Sequence, residues 1–135
     1  MDIIQCAREL GSKIQEDERY IKFKVASQNN DEDYELQDMI GKLNLVRMNI
    51  DKELSKKDYD KEKIKKLNEN VRMCYEEILN NKSMRAYNEA KEDFDNLMRR
   101  INAIIIGSAS GEDPLTVDFV ESNCNGNCSG CNGCN

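Results

Sequence analysis

The stretch that decides the fold class is Ser83-Met84-Arg85-Ala86-Tyr87-Asn88-Glu89-Ala90-Lys91-Glu92-Asp93-Phe94-Asp95-Asn96-Leu97-Met98-Arg99-Arg100-Ile101-Asn102-Ala103-Ile104-Ile105-Ile106. Its apolar residues recur at Tyr87, Ala90, Phe94, Leu97, Ile101 and Ile104, in alternating steps of three and four. That spacing puts them on one face of an α-helix. Arg85, Lys91, Asp95, Arg99 and Arg100 take the other faces. Gly107 follows, a residue suited to the left-handed turn that closes a helix. We predict a helix from about Ser83 to Ile106, with Ser83 as its N-cap.

Upstream, the same periodicity predicts three more helices. The first runs from Asp2, a candidate N-cap, to about Ser27, with a stripe of Ile3, Ala7, Leu10, Ile14, Ile21 and Val25. Asp17 or Glu18 interrupts that stripe. Gly11 costs about 1 kcal/mol of helix stability relative to Ala; it either admits a close neighbour or is simply tolerated. Gln28-Asn29-Asn30-Asp31 is a turn by composition. Asn30 or Asp31 then caps a second helix, with Leu36, Met39, Ile40, Leu43, Val46, Ile50 and Leu54 on its apolar face. The third starts near Asp58 or Asp60 and reaches Leu79 through Ile64, Leu67, Val71, Cys74 and Ile78. Cys74, and less strongly Cys6, read as buried small hydrophobes.

The fold class predicted is all-α: an antiparallel bundle of four long amphipathic helices with a flexible, Cys-rich C-terminal tail. Residues 1–106 form the helical domain and residues 107–135 the linker and tail. Such thin helices bury little alone, so they should pack as antiparallel hairpins and against another subunit.

Composition narrows the function. The chain has 135 residues, is 34% charged and only 6% aromatic, and has one proline and no tryptophan, which suits amphipathic helices better than sheets. Mean hydropathy is -0.79, and no stretch approaches the roughly 20 apolar residues that span a bilayer. No basic region precedes an apolar one at Met1-Asp2-Ile3, so we expect no signal peptide and a cytoplasmic location. Histidine is absent, which removes a histidine base, a serine–histidine dyad and any histidine metal ligand. No glycine-rich phosphate loop or acid pair is visible, and Glu9, Glu18 and Asp95 read as solvated faces. We therefore expect no enzyme.

Net charge is -6, and from Gly107 onward there are four acids and no Lys or Arg. The rest of the chain is close to balanced, which argues against general nucleic-acid binding. Residues 52–66 hold seven lysines against four acids. These serve an anionic partner or form a solvated helix end. Tyr59 is the one aromatic among them, too few for a single-strand stacking platform.

Cys124, Cys128, Cys131 and Cys134 carry the chemistry. They crowd into a stretch otherwise made of Asn, Gly and Ser, which cannot build a core. Four thiolates with no cation nearby repel one another, and a metal centre would supply the missing charge. Tetrahedral zinc suits them, and so does an iron–sulfur cluster, with 4Fe–4S favoured. The short gaps resemble ferredoxin runs in reversed order, without the following proline. The first three cysteines share the spacing of radical-SAM enzymes, but nothing here could build that barrel. An unliganded, redox-labile terminus is the third option.

The chain also resembles the YlbF/YmcA family of bacterial regulators from about Ile4 to Ile106. The resemblance rests on Ala7-Arg8-Glu9-Leu10-Gly11, Glu18-Arg19-Tyr20 and Asp33-Tyr34-Glu35-Leu36. It rests above all on the run from Asn81 to Ala90, followed by Phe94, Leu97, Ile101, Asn102 and Ile105. Many relatives have proline where this chain has Lys82. The resemblance implies a non-enzymatic helical subunit that assembles with itself, with a paralogous helical subunit and with a larger unrelated partner. Such complexes carry iron–sulfur clusters and modulate ribonuclease Y, hence mRNA processing, competence, sporulation and biofilm formation. Ribonuclease Y would be reached indirectly, with no direct nucleic-acid contact and no membrane. The four tail cysteines match the cluster-binding role. The alternative is a zinc-stabilised interaction module without redox function.

Overall fold

The computed structural model describes residues 2–121. The described residues form five helices and no strand: α1 (Ile3–Glu16), α2 (Glu18–Glu32), α3 (Tyr34–Leu54), α4 (Lys61–Asn80) and α5 (Lys82–Ala109). The all-α class holds. The count differs from the four helices expected, because the first is broken at Asp17. There the backbone turns extended at ψ 140, and the Asp17 carboxylate accepts the Arg19 N–H at 2.8 Å to start α2. A short acceptor side chain placed just before an unsatisfied helix start competes with continuing the old helix.

Two other boundaries also move. Gln28 to Asp31, expected as a turn, is helical, and the break falls at Asp33. The Asp33 carboxylate accepts the Leu36 N–H at 3.1 Å and caps α3. At the start of α5, Asn81 caps in place of Ser83, its side-chain oxygen accepting the Met84 N–H at 3.0 Å. The third start is Asp60, which accepts from Glu62 and Lys63 N–H groups.

The chain divides into two compact units, Met1–Phe94 and Asp95–Asn135, and α5 contributes to both. In the first, α3 and α4 pack antiparallel. Leu36, at the start of α3, clusters with Leu43 and with Ile78, at the end of α4. Glu53, at the other end of α3, meets Lys63 at the start of α4. Met39, Ile40, Val71 and Cys74 pack around that cluster, so Cys74 has the apolar setting its position predicted. The first part of α5 runs antiparallel to α2: Phe23 stacks on Phe94 at a centroid distance of 5.6 Å and meets Tyr87 at 5.5 Å, and Tyr20 meets Phe94 edge-on at 5.8 Å.

That packing corrects the stripe expected along α2. Its inward face is Tyr20, Phe23 and Ala26, while Ile21 and Val25 point to solvent, 50% and 53% exposed. α2 carries apolar residues on two faces, aromatic inside and aliphatic outside. α1 buries none of its residues, and Ile3 is 78% exposed. Cys6 is exposed rather than buried. Gly11 has open space where a Cβ would stand, so no close neighbour requires it.

In the second unit, α5 does not stop at Gly107 but continues to Ala109. Gly107 is buried inside the helix, and the left-handed position belongs to Gly111, at φ 92. After it the chain returns along α5 by way of Asp113 to Asp118. A Cβ on Gly107 would stand 2.6 Å from Val117 Cγ2 and 2.5 Å from Glu112 Oε2. Glycine is needed here for close approach, not for a turn.

Candidate functional site

The four cysteines assigned to a metal centre, Cys124, Cys128, Cys131 and Cys134, lie outside the described residues. Their donor set is four soft sulfurs with no competing base, and Gly, Asn and Ser between them add no bulk. Those residues fit zinc or an iron–sulfur cluster equally in ligand type. Among the described residues, no group of three or more Cys, Asp or Glu could hold a metal ion.

What the structure does give is the anchorage leading to that tail. Arg100, on α5, binds the Asp118 carboxylate through Nε at 3.1 Å and Nη2 at 2.9 Å. The Phe119 N–H donates to the same carboxylate at 2.7 Å. The guanidinium, first, and this N–H, second, hold Asp118 below the usual carboxylate range. A bidentate guanidinium–carboxylate pair fixes direction as well as distance. With the seat of Val117 over Gly107, it ties residues 112–118 to the helix directly before the tail.

A second feature is a groove between α2 and α5 of about 420 Å³. Ala26, Ala86 and Ala90 make a small-residue lining, and Ile21 and Val25 add exposed aliphatic surface. Lys22 stands at its rim with Glu89 and Asp93. Such a groove has no titratable group aimed at a reacting atom. Its chemistry is that of packing.

The third is the turn from α3 to α4. Glu53 is 4% exposed, and its carboxylate accepts the Asp60 N–H at 3.1 Å and binds Lys56 at 2.9 Å and Lys63 at 3.3 Å. The Asp60 hydrogen bond, first, and the two lysines lower its pKa from 4.5 to about 2. Asp17 is likewise lowered to about 2, chiefly by the Arg19 side chain, which holds it at 2.9 Å through Nε and again through Nη2. Both carboxylates are structural clasps.

Sequence periodicity did not single out Glu53, Asp33 with Asn81, or Phe23. For Glu53 the available signal was an acid three residues before Lys56 in a lysine-rich turn. For Asp33 it was an Asx residue three before the apolar Leu36. Of the carboxylates read as solvated, Glu9 is exposed and Glu18 pairs with Lys22 at 3.0 Å on the surface, while Asp95 is half-buried.

The described residues define an all-α protein that leaves apolar side chains exposed on its helices. The family model described as control of competence regulator ComK, YlbF/YmcA, matches residues 3–108. The chain belongs to the YlbF/YmcA family. No curated protein and no solved structure matches it. The family description ties the chain to regulation of the competence regulator ComK. No helix among the described residues is long and apolar enough to cross a membrane.

Proposed function

We propose that this chain is a non-catalytic, cytoplasmic adaptor subunit of a regulatory complex, with an iron–sulfur cluster ligated by Cys124, Cys128, Cys131 and Cys134. The complex holds further copies of the chain, a paralogous helical subunit and a larger partner. It modulates ribonuclease Y-dependent mRNA processing, and through it competence, sporulation and biofilm formation. The family match across residues 3–108 is the observation that carries this reading.

Exposed surface supports the adaptor part. Ile3, Ile4, Ile21 and Val25 are each at least half exposed, and a chain that stayed alone would leave them to water. Pairing of two copies across such faces completes the antiparallel bundle that one copy leaves open. The sulfur donor set supports the cluster, which when bound supplies an electron-accepting or oxygen-sensitive centre. Ligation by four cysteines without histidine also suits zinc, and in that reading the tail is a structural interaction module.

Anaerobic purification with visible absorption and iron, sulfide and zinc analysis separates these. A brown protein with matched iron and sulfide, bleached by air, supports the cluster. Replacing Cys128 and Cys131 with Ser should remove the iron and leave helicity intact. A colourless protein with about one zinc per chain establishes the structural module instead.

A further inference from the structure

The turn between α3 and α4 carries a charge that the first unit does not show elsewhere. Seven lysines and four acids lie in residues 52–66. Two of those acids are already engaged: Glu53 is buried against Lys56 and Lys63, and Asp60 caps α4. Lys52, Lys57, Lys61, Lys65 and Lys66 are exposed, and none of them forms an ion pair among the described residues. Leu54 and Tyr59, 48% and 42% exposed, lie among them. The Glu53 clasp holds this turn in one shape before anything binds.

Residues 112–121 have the opposite character. They hold Glu112, Asp113, Asp118 and Glu121 and no base. Asp118 is taken by Arg100, which fixes the segment's course and leaves the other acids exposed. Leu115 and Val120 stand between them, 92% and 81% exposed. The two surfaces match twice, in charge and in exposed apolar side chains.

We propose that residues 112–121 of one copy dock on the 52–66 turn of a second copy, and reciprocally. Each copy offers one surface of each kind; a dimer closes when both contacts form at once, whereas a single contact leaves free surfaces that add further copies head to tail. The lysines and acids set orientation and encounter rate, and the apolar side chains lose water where they meet. A nucleic acid would use the lysines but leave the acidic segment and its exposed Leu115 and Val120 unused, which is why a second copy is the better occupant. The inference rests on the self-association proposed above and adds to it a contact separate from the exposed face of Ile3, Ile4, Ile21 and Val25.

Two full-length variants test it: Lys57→Glu/Lys61→Glu/Lys65→Glu, and Glu112→Lys/Glu121→Lys. All five side chains are exposed, and circular dichroism should show unchanged helicity. Sedimentation should find the unaltered chain dimeric, with an affinity that falls as salt rises. Each variant alone should dimerise about tenfold or more weakly, the scale of a few lost surface charge pairs. Mixing the two variants should restore association, because each then meets a partner of opposite charge. Variants that dimerise as well as the unaltered chain overturn these surfaces and leave self-association standing. Failure of the mixture to recover overturns direct pairing. An unaltered chain that stays monomeric overturns the proposal together with self-association, and a turn that binds a single-stranded RNA oligonucleotide in place of a second copy overturns these surfaces alone.

Discussion

Asn81 Nδ2 donates to Asp33 Oδ2 at 3.3 Å, joining the one residue that interrupts α2 and α3 to the one that interrupts α4 and α5. Both antiparallel pairs of the first unit therefore break at the same level. Asp33 serves four donors there: the Leu36 N–H, first among the influences that hold its carboxyl below the usual range, then Ser83, Asn81 and the Glu35 N–H. One side chain both caps α3 and stitches the break across to α5. Asp33→Ala should remove cap and stitch together, lowering Tm by several degrees and speeding amide exchange at Leu36. Asp33→Asn keeps an acceptor for the Leu36 N–H but turns an amide toward Asn81, so its Tm should lie between the two. Equal Tm for Ala and the unaltered chain would mean the cross-link carries no stability.

Gly107→Ala separates helix propensity from packing. Alanine is the better helix former by about 1 kcal/mol, and α5 runs straight through this position. Yet the added methyl would meet Val117 and Glu112 well inside van der Waals contact. The expected outcome is unchanged or higher helicity with release of the return segment. Amide exchange should accelerate at Glu112, whose N–H donates to the Gly107 carbonyl at 2.9 Å, and at Val117. Adding Val117→Ala should recover part of the protection by making room.

These cases show what was legible in the chain and what was not. Helices whose apolar residues share one face were readable from spacing alone: α3 and α4 contribute Leu36, Leu43, Ile78 and Cys74 to one cluster, as their periods require. α2 was misassigned because Tyr20 and Phe23 face α5 while Ile21 and Val25 face outward, and a single period cannot describe two apolar faces. Helix breaks set by one Asx side chain leave little trace in a hydrophobic pattern. Asp17 and Asp33 sit in runs rich in acids, where each neighbour looks equally able to cap. Gly107 misled for a different reason. Glycine before a polar run suggests a terminus, but its use here depends on Val117, ten residues on, which no local pattern reveals.

The two faces of α2 give opposite expectations for substitutions at two neighbouring positions. Phe23 contacts two rings on α5 and is half-buried. Phe23→Ala should cost about 2–3 kcal/mol, less than a fully buried Phe, and lower Tm by roughly 8–12 °C. Val25 is 53% exposed, so Val25→Ala should leave the isolated chain within about 0.5 kcal/mol of its starting stability. If copies associate through this face, Val25→Ala should instead weaken association, seen as a larger Tm loss at high protein concentration than at low. Urea unfolding at two concentrations measures both.

Acid should loosen the α3–α4 turn before it melts the Leu36 cluster. The Glu53 carboxylate has a folded pKa of about 2 against an ordinary value of 4.5. A depressed folded value means that the unfolded chain takes up the proton first. The contribution of Glu53 is then fully present above about pH 4.5 and is lost as pH falls from there through about 2. Glu53→Gln keeps the shape and an acceptor for the Asp60 N–H but releases Lys56 and Lys63. It should lower Tm at pH 7 and leave a smaller difference from the unaltered chain at pH 3, with the two curves converging toward pH 2. Asp17 is lowered to a similar value, so its own acid response overlaps this window. The difference between Glu53→Gln and the unaltered chain isolates the turn, since Arg19 and Asp17 are common to both. Parallel curves across pH 2–7 would show that the carboxylate's charge plays no part in holding the turn.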